Sequence, residues 1–277
     1  MSCRRAELVL PQTMCVMGFW KPNLTRSTAT MTASNATHPP IALITGAARR
    51  IGRAIALGLA ADGWQILIHH NASSAEANKL AEIIERSGGR AVPLQCDLTQ
   101  QDKVEMLLDK CEQVLGRPTC LINNASAFFD DNASTLSAEI WDAHMHANLR
   151  APVFLSMAFA RQLPSGTKGN IINIIDQRVL RPTPEYFSYT ISKAALWTAT
   201  QTLAQAFAPM IRVNAIGPGP VLQSVHQSDT EFAAEIAGTL LKRACPPDEI
   251  ANSVRFILAS PSMTGQLITL DSGQHLA

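Results

Sequence analysis

The sequence predicts a single α/β domain, in which a doubly wound parallel sheet of about seven strands carries helices on both faces. From Ile41 onward, short apolar runs alternate with amphipathic stretches, a pattern typical of βαβ units. Hydrophobic residues make up 47% of the 277 residues and charged residues 16%, which is enough apolar material for a large core. Because no long polar linker interrupts this region, residues 39–277 are expected to form one domain.

The predicted strands are apolar runs of the length expected for strands buried on both faces. In chain order they are 41–44, 64–69, 91–95, 120–123, 170–175, 211–216 and 266–270. The stretches between them have helical periodicity. They predict helices over 50–61, 74–87, 101–115, 137–162, 187–207 and 247–259. The polar segment 224–230 is predicted to be a loop that acts as a mobile lid over the substrate.

Charge and composition exclude several classes of protein. The chain has 23 Lys and Arg against 22 Asp and Glu, so it lacks the basic surface that nucleic acids or anionic membranes attract. No apolar run reaches the roughly 18 residues that a membrane-spanning helix needs. The six cysteines lack a C-x-x-C pair and the seven histidines lack a ligand cluster. We therefore expect reduced thiols, no metal and a cytoplasmic location.

Residues 1–38 differ in composition from the rest of the chain. Their cations outnumber a single acid, Glu7, and the stretch 25–37 consists mostly of small polar residues. Such a segment buries too little surface to offset its ordering entropy. Three interpretations stay open: a transit peptide, a disordered tail, or a start codon assigned too early, with Met31 as the true first residue.

The segment T-G-A-A-R-R-I-G, residues 45–52, follows the first strand and opens the first helix. Gly46 permits a tight turn, and Gly52 permits close packing of helix against strand. Backbone N–H groups and the positive helix end would then face a pyrophosphate. Two-glycine junctions also occur for packing alone, but this position favours a dinucleotide site.

The end of the second strand distinguishes between the two nicotinamide cofactors. An acid at this position binds the adenosine ribose of NAD, but here the first carboxylate is Glu76. Arg49 and Arg50, with Asn71 and Ser73, suit a 2′-phosphate, because guanidinium groups match phosphate oxygens. NADPH is therefore favoured over NADH, unless both arginines only form a solvated first turn.

Two further acids follow strands. Asp97, after the third strand, either accepts a hydrogen bond from adenine or caps the next helix. Asp176 ends the fifth strand, upstream of Tyr189 and Lys193. A spacing of four places the phenol and the ammonium on one helix face. The cation is expected to lower the pKa of the Tyr189 phenol and make it a better proton donor, although Y-x-x-x-K alone is usually a surface pair.

These motifs together resemble the short-chain dehydrogenase/reductase family over residues 41–277. Besides the 45–52 turn and Tyr189/Lys193, they include N-N-A at 123–125, Asn148, and N-A-I-G-P-G at 214–219. The resemblance implies a Rossmann-type fold, Tyr189 as general acid, Lys193 on the nicotinamide ribose, Asn148 holding a relay water, and a homodimer or homotetramer. The expected NADPH contacts are Gly46, Arg49, Arg50, Ile51, Asn71, Ser73, Asp97, Asn124, Ala125, Lys193, Pro218 and Gly219.

Departures from the general family pattern resemble its pteridine reductase branch, which includes bacterial dihydromonapterin reductases. Arg50 replaces the middle glycine of T-G-x-x-x-G-x-G, and Asp176 replaces the catalytic serine. The branch implies a small pterin substrate, with Arg50 bridging cofactor phosphate and pterin oxygen and Ser126 at the ring edge. Phe128 either stacks on the ring or packs in the core. Asp176 either raises the proton affinity of Tyr189 or only caps a strand end.

The leading expectation is an NADPH-dependent reductase of dihydropterins such as dihydromonapterin, dihydrobiopterin or dihydrofolate. One alternative is a carbonyl or 3-oxoacyl reductase that carries Asp176 in place of serine. The other is a nonenzymatic NADPH-binding module. The set Tyr189, Lys193 and Asn148 argues against the last, because binding alone does not require it.

Overall fold

The structure is a computed structural model that describes residues 39–224 and 227–277. The described residues belong to one compact unit. The predicted N-terminal extension, residues 1–38, lies outside them.

Seven parallel strands form one sheet in the order β3-β2-β1-β4-β5-β6-β7. They are β1 (Ile41–Ile44), β2 (Gln65–His70), β3 (Ala91–Gln95), β4 (Cys120–Asn123), β5 (Gly169–Ile174), β6 (Ile211–Pro218) and β7 (Leu267–Leu270). β1 pairs with both β2 and β4, so the strand order reverses there and a crevice opens at the carboxyl ends. The predicted fold class is confirmed, with strand ends displaced by one or two residues.

The helices in the described residues cover both faces of this sheet. They are α1 (Arg50–Ala61), α2 (Ser74–Arg86), α3 (Gln101–Val114), α4 (Ala138–His144), α5 (Ala151–Gln162), α6 (Phe187–Phe207), α7 (Asp229–Gly238) and α8 (Pro247–Leu258). The predicted helix 137–162 is helical, but a π-helical segment, Met145–Arg150, joins α4 to α5.

Helix α7 corrects the predicted loop over residues 224–230. Ser228 and Glu231 form a capping box, in which each side chain bonds to the backbone N–H of the other residue. These bonds satisfy donors that a helix start leaves unpaired, so the chain becomes helical from Asp229. Residues 228–230 of the predicted loop thus belong to the start of α7, and residues 225 and 226 lie outside the described residues. The lid stays a prediction.

Two apolar layers hold the sheet between the helices. Ala42 and Ile44 of β1 face α1, α2 and α8, whereas Leu43 faces α3, α5 and α6. This alternation is the consequence of a two-residue side-chain period with both faces buried. The carboxyl edge of the sheet is thus fixed from both sides, and the loops beyond it hold the site.

The turn after β1 depends on its two glycines. Gly46 has a φ of +62°, which L side chains rarely adopt. At Gly52 a Cβ atom would lie 2.5 Å from the carbonyl oxygen of Gly46 and 2.7 Å from Asn124 Nδ2. Helix α1 can approach the turn this closely only because residue 52 has no side chain.

The described part of the chain also bears on the expectations about membrane spans, metal sites and cysteines. None of its helices has the length and apolarity to cross a bilayer. No group of three or more His, Cys, Asp or Glu side chains there could hold a metal ion. The cysteines within it, Cys96, Cys111, Cys120 and Cys245, are free and buried.

We expect Gly52→Ala to destabilise the protein by about 1–3 kcal/mol, because the added methyl overlaps backbone atoms that cannot move away. Gly238→Ala is the matched control, since a Cβ atom there meets nothing within 4 Å. Urea unfolding of both variants measures the difference. Equal free energies of unfolding for the two variants would contradict the packing described for Gly52.

Candidate active site

A cavity of about 1010 Å³ lies at the carboxyl edge of the sheet. It extends from the segment after β2 to the segments after β5 and β6, and α6 closes one side. All predicted site residues except Asn148 line it: Gly46, Arg49, Arg50, Ile51, Asn71, Ser73, Asp97, Asn124, Ala125, Ser126, Phe128, Asp176, Tyr189, Lys193, Pro218 and Gly219. The fold thus gathers residues scattered over most of the domain.

Tyr189 and Asp176 form a direct pair. The Tyr189 hydroxyl, on the first turn of α6, donates to Asp176 Oδ2 at 3.0 Å. Asp176 Oδ1 accepts from the backbone N–H of Arg178 at 2.8 Å and so caps the short 3-10 turn after β5. Asp176 is thus not only a cap, because one oxygen caps the turn and the other contacts the phenol; its effect on proton transfer stays a prediction.

The electrostatics of this pair depend on burial. Burial raises the pKa of Asp176. The pKa of Tyr189 is well above its ordinary value, first because of burial and then because of the negative charge of Asp176. The net shift has the direction expected from Asp176 and is opposite to the lowering expected from Lys193, so burial and the carboxylate outweigh the cation at this phenol. The pKa values of both groups are thus shifted upward.

Lys193 is buried beneath the cavity with part of its bonding capacity unused. Its Nζ donates to the carbonyl oxygen of Ile174 at 3.0 Å and lies 5.7 Å from the Tyr189 ring centroid. Burial lowers the pKa of Lys193 to about 8. An ammonium has three N–H donors, and only this one bond joins Nζ to the described residues. The other donors are available to a ligand.

Asn148 lies in the π-helical segment, behind the cavity wall. Its Oδ1 accepts from Ala127 N at 2.7 Å and from Ser126 Oγ at 3.1 Å. Its Nδ2 donates to Ala127 O and Ser192 Oγ. Because these bonds use both donors and both acceptor positions of the amide, the side chain has none left for the relay water implied by the family resemblance. The Asn148 side chain thus positions residues 126 and 127, and a relay water on its backbone carbonyl stays a prediction.

Aromatic rings form the wall opposite the turn. Phe128 stacks on Tyr186 with ring centroids 4.6 Å apart and an interplanar angle of 13°. The same ring meets Tyr189 edge-on at 4.7 Å. Arg178 covers Tyr186, with its guanidinium carbon 4.9 Å from the ring centroid. Phe128 thus lines the cavity instead of packing in the core.

Tyr186 and Arg178 are cavity residues that the sequence analysis missed. The available signal was an aromatic residue directly before the helix that carries Tyr189. Tyr186 has a φ of +53°, an unusual conformation for a bulky side chain, and this conformation directs the chain into α6.

Arg50 spans the cavity from the first turn of α1. Its guanidinium donates to the carbonyl oxygens of Leu222 and Gln223, each at 2.8 Å. The φ of Arg50 is +54°, as expected for a position that is glycine in the general family. Arg49 is more exposed and lies 3.7 Å from Glu76. The two neighbouring arginines therefore face different parts of the site.

Several predicted binding residues also support the turns around the cavity. Asn124 Nδ2 donates to the carbonyl oxygens of Thr45 and Gly46. Asp97 accepts from Thr99 and Gln100, but the N-cap of α3 is Gln100, so Asp97 is not the helix cap considered above. Ser73 occupies the N-cap position of α2. These contacts fix the backbone that faces the cavity.

Comparison with known proteins agrees with this geometry. The short chain dehydrogenase family matches residues 40–233. The chain belongs to this family. Pteridine reductase 1 of Leishmania tarentolae is 31% identical over 283 residues, covering 86% of this chain and 96% of the relative. The 3-oxoacyl-[acyl-carrier-protein] reductase of Synechocystis sp. is 30% identical, covering 84% and 96%.

Solved structures of this short-chain dehydrogenase family include similar proteins. FolM alternative dihydrofolate reductase 1 from Brucella canis, complexed with NADP, superposes with a TM-score of 0.83 at 44% identity, covering 86% of this chain and 94% of that one. The Brucella suis protein gives the same score and identity, with 87% and 96% covered. The predicted family and its pteridine reductase branch are thus confirmed.

We expect Asp176→Asn to be more stable than the wild type at about pH 8, because it removes a buried charge and keeps the side-chain shape and one of the two acceptor oxygens. The folded-state pKa of Asp176 is raised. The folded wild type therefore retains a proton that the unfolded chain releases, and loses stability as pH rises between the two pKa values. The variant lacks this loss, so its advantage shrinks as pH falls toward the ordinary carboxyl pKa.

Thermal unfolding across this pH range measures the difference. Asp176→Ala is the control, because it removes the charge together with the bonds to Arg178 and Tyr189. An advantage of Asp176→Asn that does not change with pH would show that its origin is not ionisation.

Proposed function

We propose that this short-chain dehydrogenase is an NADPH-dependent reductase that converts dihydropterins to tetrahydropterins. The decisive observation is the Tyr189 hydroxyl on the Asp176 carboxylate at 3.0 Å, with Phe128 packed against the same phenol. A serine at position 176 would orient a ketone oxygen. A carboxylate beside an aromatic face instead suits a flat heterocycle with ring nitrogens. The likeness to pteridine reductase 1 and to the NADP-bound FolM structures supports this proposal.

The residues present fit NADPH. The cavity volume is at the upper end for ligand sites, and Lys193 has N–H donors that the described residues leave unused. Lys193 would hold ribose hydroxyls, and the backbone after Gly46 would hold the pyrophosphate. Arg49, with Asn71 and Ser73, would hold the 2′-phosphate. The remaining proposed contacts are Arg50, Ile51, Asp97, Asn124, Ala125, Pro218 and Gly219. When bound, NADPH supplies the hydride.

The side chains of this site manage the accompanying proton. Tyr189 releases its hydroxyl proton to a ring nitrogen of the substrate as hydride reaches the adjacent carbon. Asp176 replaces that proton, because its raised pKa lets it hold one closer to neutral pH than an ordinary carboxyl group. Tyr189 stays a phenol between turnovers, since burial and Asp176 both disfavour tyrosinate. A proton from solvent then restores Asp176.

The pterin ring would lie along the aromatic wall. Phe128 offers a flat face, and Ser126 beside it carries a hydroxyl for the ring edge. Arg50 reaches the same space and would bridge the cofactor phosphate and the pterin oxygen in place of its contacts with Leu222 and Gln223. Substrate binding would thus release the segment after β6.

Assembly and location are also proposals. The chain would form a homodimer or homotetramer through α5 and α6, as the family resemblance implies. A cytoplasmic location agrees with the free, buried cysteines of the described residues.

The proposed activity predicts that the purified protein oxidises NADPH when given dihydrobiopterin, followed by absorbance. Tyr189→Phe should lower kcat by about 100-fold or more, because it removes the proton donor. Its dissociation constant for NADPH, measured by fluorescence titration, should stay near the wild-type value. Unchanged turnover in Tyr189→Phe would contradict the proton-donor role.

A substrate panel separates the alternatives. Faster turnover of ketones or 3-oxoacyl substrates than of pterins would favour a carbonyl reductase. Binding of NADPH without turnover of any substrate would favour a nonenzymatic module.

Cofactor choice gives a separate prediction. Arg49→Ala should raise the KM for NADPH by about tenfold, because one charge-assisted contact with the 2′-phosphate is lost. The KM for NADH should change little. Arg53→Ala is the matched control, since Arg53 is an exposed arginine of α1 that does not line the cavity. Equal effects of Arg49→Ala on both cofactors would place the 2′-phosphate elsewhere.

A further inference from the structure

Three buried polar side chains outside the cavity lining form a continuous hydrogen-bonded array. Asp131, in the segment after β4, accepts a very short bond from Ser188 Oγ. His144, at the end of α4, lies with Nδ1 2.6 Å from the same Ser188 oxygen. All three are almost completely buried. Burying such groups is costly unless their bonds are satisfied, so the array needs a physical explanation.

The contacts determine the proton positions. The backbone N–H of Phe129 donates to His144 Nε2 at 3.0 Å, so Nε2 is an acceptor and Nδ1 carries the hydrogen of the neutral ring. Nδ1–H then donates to Ser188 Oγ, and the Ser188 hydroxyl donates to Asp131. Each hydrogen-bond donor of the array thus faces an acceptor.

Asp131 also caps the helix that carries the proton donor. Tyr186, at the N-cap of α6, makes no capping bond with its own side chain. Both carboxylate oxygens of Asp131 accept instead from the backbone N–H of Ser188 at 3.2 Å, and its carbonyl oxygen accepts from Phe187 N. A carboxylate at a helix N-terminus is favourable because of the unpaired N–H groups and the helix dipole. The start of α6 is thus capped by a distant loop.

The array contacts both the start of α6, which carries the proton donor Tyr189, and the segment that carries the Phe128 ring. Ser188 precedes Tyr189 in α6, and the His144 ring lies edge-on to the Tyr189 ring at 5.8 Å. At the other end, His144 holds the backbone of Phe129, next to Phe128. We propose that Asp131, Ser188 and His144 are positioning residues that fix the Tyr189 hydroxyl and the Phe128 ring relative to each other. This inference rests on the proposed function.

Ser188→Ala in the full chain tests the proposal. The kcat for NADPH-dependent reduction of dihydrobiopterin should fall by about 10-fold to 100-fold, because small displacements of reacting groups cost this much. The dissociation constant for NADPH should stay within about twofold, since none of the three array residues lines the cavity. Asp131→Asn keeps an acceptor for Ser188 N and should retain more activity than Asp131→Ala.

Thr200→Val is the matched control. Thr200 is a buried hydroxyl on the same helix, bonded to Leu196 O and Asn173 Nδ2, so its loss costs comparable stability away from the site. Its kcat should be close to that of the wild type. An equal loss of kcat in Thr200→Val and Ser188→Ala would overturn the proposal.

A measurement that does not depend on turnover separates this inference from the proposed function. Nitrogen NMR of the imidazoles, with His144 assigned by its absence in His144→Gln, should show the Nδ1–H tautomer in the wild type. Ser188→Ala should keep this tautomer, because the Phe129 N–H still donates to Nε2, but its Nδ1–H signal should shift because the acceptor oxygen is lost. An Nε2–H tautomer would overturn the array even in an active enzyme. Absence of pterin turnover together with the Nδ1–H tautomer would contradict the proposed function and leave the array geometry intact.

Discussion

The hydrogen bond between Tyr189 and Asp176 is the interaction on which the rest of the site depends. It joins the start of α6 to the end of β5, two elements that the sheet and its helices hold in fixed positions. Burial makes both charged forms costly. The pair therefore holds its protons to a higher pH than an ordinary carboxyl group and phenol would, and this suits it to deliver one proton each time a hydride is accepted. The surrounding residues either exclude water from the pair or hold its geometry.

This geometry is obtained at a cost to stability. A buried lysine, a buried carboxyl group and two left-handed residues, Arg50 and Tyr186, all surround one cavity. Each is unfavourable for folding by itself. The apolar layers on the two faces of the sheet offset these costs, because their side chains are almost fully buried. Two of the four non-glycine residues with positive φ in the described part of the chain thus line the cavity.

Most of the fold could be predicted from the sequence, because buried parallel strands and amphipathic helices have distinct periodicities. Helix α7 was missed because it buries no residue, so apolar periodicity was absent and only its capping box indicated it. The π-helical segment keeps a helical pattern and cannot be distinguished by spacing.

The site was predicted where motifs lie at strand ends. Residues such as Tyr186, His144 and Asp131 join it only through tertiary packing. Spacing identified Lys193 as a partner of Tyr189, but the direction of the phenol pKa depends on burial, which spacing does not report.

The left-handed conformation of Arg50 has a consequence for how this sequence can change. A return to glycine would relax the main chain at once, yet it would also disconnect the two walls of the pocket that the guanidinium now ties together. At position 50 the backbone conformation favours glycine, whereas the contacts with Leu222 and Gln223 require arginine. Every homologue that keeps this arginine keeps the conformational cost of a left-handed residue. The free energy of that cost is therefore a measure of what the arginine contributes to the pocket.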